Sequence, residues 1–144
     1  MTSSIESCVF CAIVAGGSRE QVFQENEHVI AFLDIAPAAP GHALVVPREH
    51  AANVLSISAD GFASVARGVH AVAALLNEEL RPEGQTILQS NGAAAWQDVD
   101  HLHFHVIPRF AADALVPPWT SSPFGAAESI PTLTDALRRR ATRQ

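Results

Sequence analysis

Between Ser58 and Leu80 the apolar residues Phe62, Val65, Val69, Val72, Ala73, Leu76 and Leu80 recur at three- and four-residue steps, the period of a helix with one buried face. A long amphipathic helix is therefore predicted over 58–80, ended by Arg81-Pro82-Glu83-Gly84. The other strong pattern has period two: over 101–107 imidazole and apolar side chains alternate until Pro108, which predicts a half-buried strand. Shorter apolar runs predict strands over 21–24 and 28–33, joined as a hairpin through Glu25-Asn26-Glu27, and over 42–46 and 86–89. Pro37 and Pro40 place 35–40 in a loop, and Asn91-Gly92 with the alanines after it predicts another. After the segment from Cys8 to Cys11, the short apolar stretch to Ala15 predicts a brief helix stopped at Gly16-Gly17, and a last helix is expected over 132–142. One long helix among strands with hairpin-length connections favours an α+β fold with an antiparallel sheet over a parallel α/β sheet.

Composition narrows the classes. With 144 residues, 48% hydrophobic and 17% charged, the chain is expected to form one domain over 1–144, without repeat or linker. A net charge of −6 with 9 basic residues argues against a nucleic-acid partner, since tracking a phosphate backbone needs many cations. Arg138, Arg139, Arg140 and Arg143 fall at the end of the last predicted helix, where cations complement the helix dipole. No basic start followed by an apolar stretch opens the chain, and no window approaches the ~18 apolar residues of a membrane span, so a cytoplasmic location without membrane contact is expected. The Pro-, Ser- and Ala-rich tail over 111–129 is expected to lie on the surface.

The predicted strand over 101–107 sends Leu102, Phe104 and Val106 to one face and His101, His103 and His105 to the other. Three imidazoles in a row make poor core filling, since each ring nitrogen needs a partner. They could form a polar solvent-facing strand, a three-histidine metal site with an open position, or a catalytic group. Asn91, Gln97 and Asp98 bring amides and a carboxylate into the preceding loop, a setting in which a neutral imidazole can attack phosphorus while a neighbour stabilises the charge that develops. Cys8 and Cys11 are spaced as a metal knuckle or a redox pair. His28 and His70 have no such context and are expected on the surface.

The run Gln97-Asp98-Val99-Asp100-His101-Leu102-His103-Phe104-His105-Val106-Ile107-Pro108-Arg109 resembles the signature of the histidine triad (HIT) family, His-φ-His-φ-His-φ-φ with φ hydrophobic. Ala31-Phe32-Leu33-Asp34-Ile35-Ala36-Pro37, the segment from Gly41 to His50, and Asn91-Gly92 extend the match, which covers about 8–109 and leaves 110–144 as a variable tail. The resemblance implies a homodimer of HIT-like α+β subunits that binds a purine nucleotide such as AMP at its α-phosphate and works through a covalent nucleotidyl-histidine. By motif position the nucleophile is His103, His105 contacts the phosphate, and His42 is a fourth histidine beside them. Asp34, with Ile35 next to it, lies where the family holds the ribose hydroxyls, and Asn91, Gln97 and Asp98 fall in the phosphate loop. The zinc-containing branch pairs an N-terminal CxxC with two histidines, which here are Cys8, Cys11, His50 and His101, implying structural zinc. Two residues depart from the pattern: Trp96 stands where a glycine is usual, so crowding is expected there, and Asp98 stands where a hydroxyl is common, so an anion faces the phosphate. The activity implied is a hydrolase or transferase of nucleoside 5′-phosphoramidates or adenylylated compounds. A dinucleoside polyphosphate hydrolase is the alternative within the family, the choice resting on a leaving-group pocket shaped by 111–124 and bordered by Trp119. A non-enzymatic nucleotide sensor, or a redox protein built on Cys8 and Cys11, are the readings from other classes.

Overall fold

The computed structural model describes residues 5–116 and 129–143. These fall into two compact units, one through Asp113 and one from Ala114 onward.

The first unit opens with α1, Val9–Val14. Cys8 caps it by accepting the Cys11 N–H on its sulfur, and Gly16, at φ 108°, ends it in a left-handed turn whose amides return to Ile13 and Ala12. Strands β1, Val22–Glu25, and β2, Val29–Leu33, form the expected hairpin. Its turn is held by the Asn26 side chain, which accepts the N–H groups of His28 and Val29. After the proline loop come β3, Ala43–Pro47, then α2, Ala59–Leu80, then β4, Gly84–Gln89, and β5, Phe104–Arg109. Ser58 caps α2 through the Gly61 N–H. The five strands lie in the order β1-β2-β3-β5-β4 with every neighbouring pair antiparallel.

The sheet has one core on each face. Val29, Ala31, Ala43, Val45 and Val106 meet Val65, Val69, Val72 and Leu76 of α2, so the helical stripe and the alternate strand residues close on each other. On the opposite face Ile30, Phe32, Leu44 and Val46 pack against Cys8 and Phe10 of the N-terminal segment. Leu44 pairs with His105, so the histidines belong to this second face.

One expected strand is shorter than its pattern. β5 begins at Phe104, and residues 101–103 run outside the ladder. The reason lies in β3, whose last cross-strand pair with β5 is Val45 with Phe104. Beyond it Pro47 has no N–H to offer, and its carbonyl accepts a hydrogen bond from the His101 ring at 2.8 Å instead. The alternation of faces survives: Leu102 is buried, Phe104 packs on Phe62 of α2, and the three imidazole rings form a row on the other side.

The second unit contains α3, Ile130–Ala141, capped by Ser129, with Arg138, Arg139 and Arg140 in its last turn. Trp119 and most of the tail expected to shape a pocket lie outside the described residues. Among the described residues no helix is long and apolar enough to cross a membrane.

Candidate active site and metal cluster

A cleft of about 470 Å³ opens on the α1 face of the sheet. Phe10 and Ile13 of α1, Phe32 and Leu44 of the sheet, and Val99 give it apolar walls, while Asp34, Asp98, His103 and His105 supply its polar groups. Ile35 also lines it and is otherwise exposed. An apolar cleft with a few convergent polar groups is the usual form of a small-molecule site.

The hydrogen bonds fix which nitrogen of each ring is free. His103 Nδ1 lies 2.7 Å from the His101 carbonyl oxygen, which can only accept, so Nδ1 carries the proton and a neutral ring keeps its lone pair on Nε2. That Nε2 stands 3.6 Å from Asp98 Oδ1. His42 receives the Ala38 N–H on Nδ1 at 3.0 Å, so its proton sits on Nε2 and is donated to His105 Nδ1 at 2.8 Å. His105 in turn carries its proton on Nε2, leaving it a hydrogen-bond donor. One backbone amide thus sets two tautomers. Burial, then the nearby His103 and His42, lowers the His105 pKa to about 4, with Asp34 and Asp98 opposing. Burial lowers His42 as well, against the pull of Asp34.

Asp34 holds the Ala36 N–H on Oδ1 and faces His42 Nε2 at 3.6 Å with Oδ2. Gly41, at φ 82°, turns the chain into His42, and a Cβ there would come within 2.3 Å of Leu80. Asn91 and Gln97 lie outside the lining of the cleft. Asn91 pairs with Gln89 and accepts the Val54 N–H, while Gln97 donates to the carbonyls of Ala52 and Val99 and accepts the Gly92 N–H. Both amides are engaged in holding the loop that leads to the triad. Trp96 does not crowd that loop: it projects outward, 73% exposed, at φ 70°, where a side chain costs ~1 kcal/mol relative to glycine. His28 and His70 are exposed.

Beneath the cleft a second cluster gathers Cys8, Cys11, His50 and His101, whose ligand atoms all lie within 4.8 Å of one another. Cys8 Sγ is 3.4 Å from His101 Nδ1, and Cys11 Sγ is 3.3 Å from His50 Nδ1 and 3.5 Å from His101 Nδ1. A tetrahedral ion with ordinary Zn–S and Zn–N bonds separates its sulfur and nitrogen ligands by about 3.6 Å, so the four groups fit such an ion with little movement. His101 donates from Nε2 to the Pro47 carbonyl, which leaves Nδ1 unprotonated as ligation requires. Burial, with Cys8 adding to it, pushes the Cys11 thiol up to about 11. Two sulfurs and two imidazole nitrogens form the donor set of a closed tetrahedral zinc site, so the cluster fits a structural metal.

Sequence reasoning missed Phe10, whose ring meets His101 and His103 edge-on at centroid distances of 5.9 and 5.1 Å. Its place between Cys8 and Cys11 was the available signal: whatever brings the cysteines to His101 brings Phe10 to the triad.

Residues 16–112 match the HIT domain. Adenosine 5′-monophosphoramidase hnt1 of Schizosaccharomyces pombe is 44% identical over 103 residues, 72% of this chain and 74% of that protein. Among solved structures, a member of the HIT family of proteins from Bacillus subtilis aligns with a TM-score of 0.83 at 32% identity, covering 96% of this chain and 97% of that one. A Zn-bound histidine triad family protein from Mycobacterium smegmatis aligns with a TM-score of 0.73 at 31% identity, covering 98% and 100%. With the α+β fold, the histidine row and the match over 16–112 together, the chain belongs to the HIT domain family.

Proposed function

We propose that this protein is a nucleotide hydrolase that cleaves nucleoside 5′-phosphoramidates, or related adenylylated compounds, at the α-phosphate through a nucleotidyl intermediate on His103. The observation that carries the reading is the hydrogen bond from His103 Nδ1 to the His101 carbonyl, which leaves Nε2 as a lone pair in the cleft. Kinship with the S. pombe adenosine 5′-monophosphoramidase supports AMP as the nucleotide.

In the first step His103 Nε2 forms a bond to phosphorus as the phosphorus–nitrogen bond to the amine breaks. The amine leaves with that electron pair and takes a proton from solvent, and His103 becomes an imidazolium held against the His101 carbonyl. Water then attacks phosphorus and gives up a proton to solvent as the bond from phosphorus to His103 Nε2 breaks, so His103 regains its lone pair and the nucleoside monophosphate departs. His105, held neutral by its buried bond to His42, donates from Nε2 to a phosphoryl oxygen in both steps, a preorganised donor that needs no rearrangement as charge develops. Asp34 suits the vicinal hydroxyls of a ribose, which it can accept as two hydrogen bonds once a ligand displaces its own neighbours. Asn91 and Gln97 position the loop. Zinc held by Cys8, Cys11, His50 and His101 serves as a structural tie with no open position for chemistry.

AMP release from adenosine 5′-phosphoramidate tests the assignment. The parent protein is expected to release AMP and the His103→Asn variant to lose about a thousandfold or more of the rate. Equal release by both would remove His103 as the nucleophile. AMP binding without turnover in the parent would instead support the sensor reading.

A further inference from the structure

The charged side chains lining the cleft carry one sign. Among the described residues its charged lining is Asp34 and Asp98, with no arginine, although a nucleotide phosphate is the group it is read to bind. The chain has no lysine, and Arg19 and Arg48 are paired with Glu25 and Arg109 with Asp113. Asp98 stands 3.6 Å from the His103 nitrogen that attacks, with its side chain 82% exposed, and among the described residues no other ion pair engages it. It also borders a second hollow of about 240 Å³, lined by Ser7, Cys8, Val9, Asp98, Val99 and Asp100, which meets the cleft at Val9, Asp98 and Val99. The space next to the nucleophile therefore carries an uncompensated negative charge.

We propose that Asp98 is the residue that sets leaving-group specificity, selecting amines that carry a positive charge and rejecting anionic leaving groups such as a second nucleotide or polyphosphate. The proposal rests on the phosphoramidate reading above. A carboxylate this close to the attacking nitrogen stands within about 8 Å of the leaving atom, inside one Debye length at physiological salt, so its charge is felt there. Because it is exposed, the effect is moderate, about tenfold between cationic and anionic groups. The same carboxylate disfavours dinucleoside polyphosphates, whose leaving group is itself an anion.

The test uses three adenosine 5′-phosphoramidates of equal chain length whose amine ends in an ammonium, a methyl or a carboxylate group. In the parent protein kcat/KM is expected to rank ammonium above methyl above carboxylate. Asp98→Asn should shrink the ammonium-to-carboxylate ratio about tenfold, and raising the salt should shrink it in the parent alone. Dissociation constants of the same compounds, measured in His103→Asn with and without Asp98→Asn, should follow the same ranking and lose it with Asp98. A ratio unchanged by Asp98→Asn, in turnover or in binding, overturns the assignment. If the parent releases AMP from none of the three, the hydrolase reading fails alone, and the binding series still decides Asp98: a ranking lost with Asp98 supports it, and an unchanged ranking or no binding overturns it.

Discussion

Among the described residues two clusters gather metal-ligating side chains at similar spacing, Cys8 with Cys11, His50 and His101, and Asp34 with His42 and His105. In the first, the second nitrogen of His101 is occupied by the Pro47 carbonyl, an acceptor, so the nitrogen facing the cysteines is bare. In the other, the second nitrogen of His42 is occupied by the Ala38 N–H, a donor, so the nitrogen facing His105 and Asp34 bears a proton. A carbonyl behind the ring makes a ligand, and an amide behind it makes a hydrogen-bond donor. Proximity of ligand atoms alone does not separate the two, and the backbone groups behind His101 and His42 do.

The sharpest way to break this contrast is to count metal. The first cluster is expected to hold one zinc per chain, lost on chelation or in Cys11→Ser, with a fall in unfolding free energy of about 3 kcal/mol or more measured by urea denaturation. Metal content unchanged by Cys11→Ser would assign the ion elsewhere. A smaller effect is expected from His42→Gln: zinc content stays at the parent level while AMP release slows about tenfold, the worth of one hydrogen bond to His105. Loss of zinc in that variant would erase the distinction. A further test concerns pH. His105 titrates at about 4 in the folded chain against an ordinary histidine value of ~6.5, so between these values the unfolded chain binds more protons. Stability should be full above ~6.5 and fall as pH drops toward 4. His42, Asp34, His103 and Asp98 share that environment, and the urea midpoint of His105→Gln should decline less over this interval than that of the parent. Parallel declines would place the titration in another group.

Much of this was legible in the sequence, and the remainder has identifiable causes. Period-three-and-four spacing located α2 within a residue of its cap, and alternation assigned Leu102, Phe104 and Val106 to the side of α2, although His101 and His103 on the other side are buried as well. The same alternation overextended β5 to His101, since a face pattern says nothing about whether a neighbour can supply ladder bonds, and Pro47 cannot. Strand order was not legible either, as β5 inserting between β3 and β4 leaves every strand's own pattern unchanged. The resemblance to the zinc-containing branch implied a common site for Cys8, Cys11, His50 and His101, and the fold brings them together. The roles of the Ala38 amide and the Pro47 carbonyl were invisible, because backbone groups have no letter in a sequence. Asn91 and Gln97 looked like ligand-facing amides from their loop, yet their bonds run to Gln89, Ala52, Val99 and the backbone around them.

His101 has a consequence for the order in which the molecule comes together. Its ring joins Cys8, 93 residues earlier, and Pro47, 54 residues earlier, while its own carbonyl orients the His103 ring. Contacts of such sequence separation carry a loop-closure cost that is repaid only when the intervening chain has condensed. The Cys8 contact and the His103 tautomer therefore meet at one residue, so the state of the His103 ring is tied to a contact spanning 93 residues of chain.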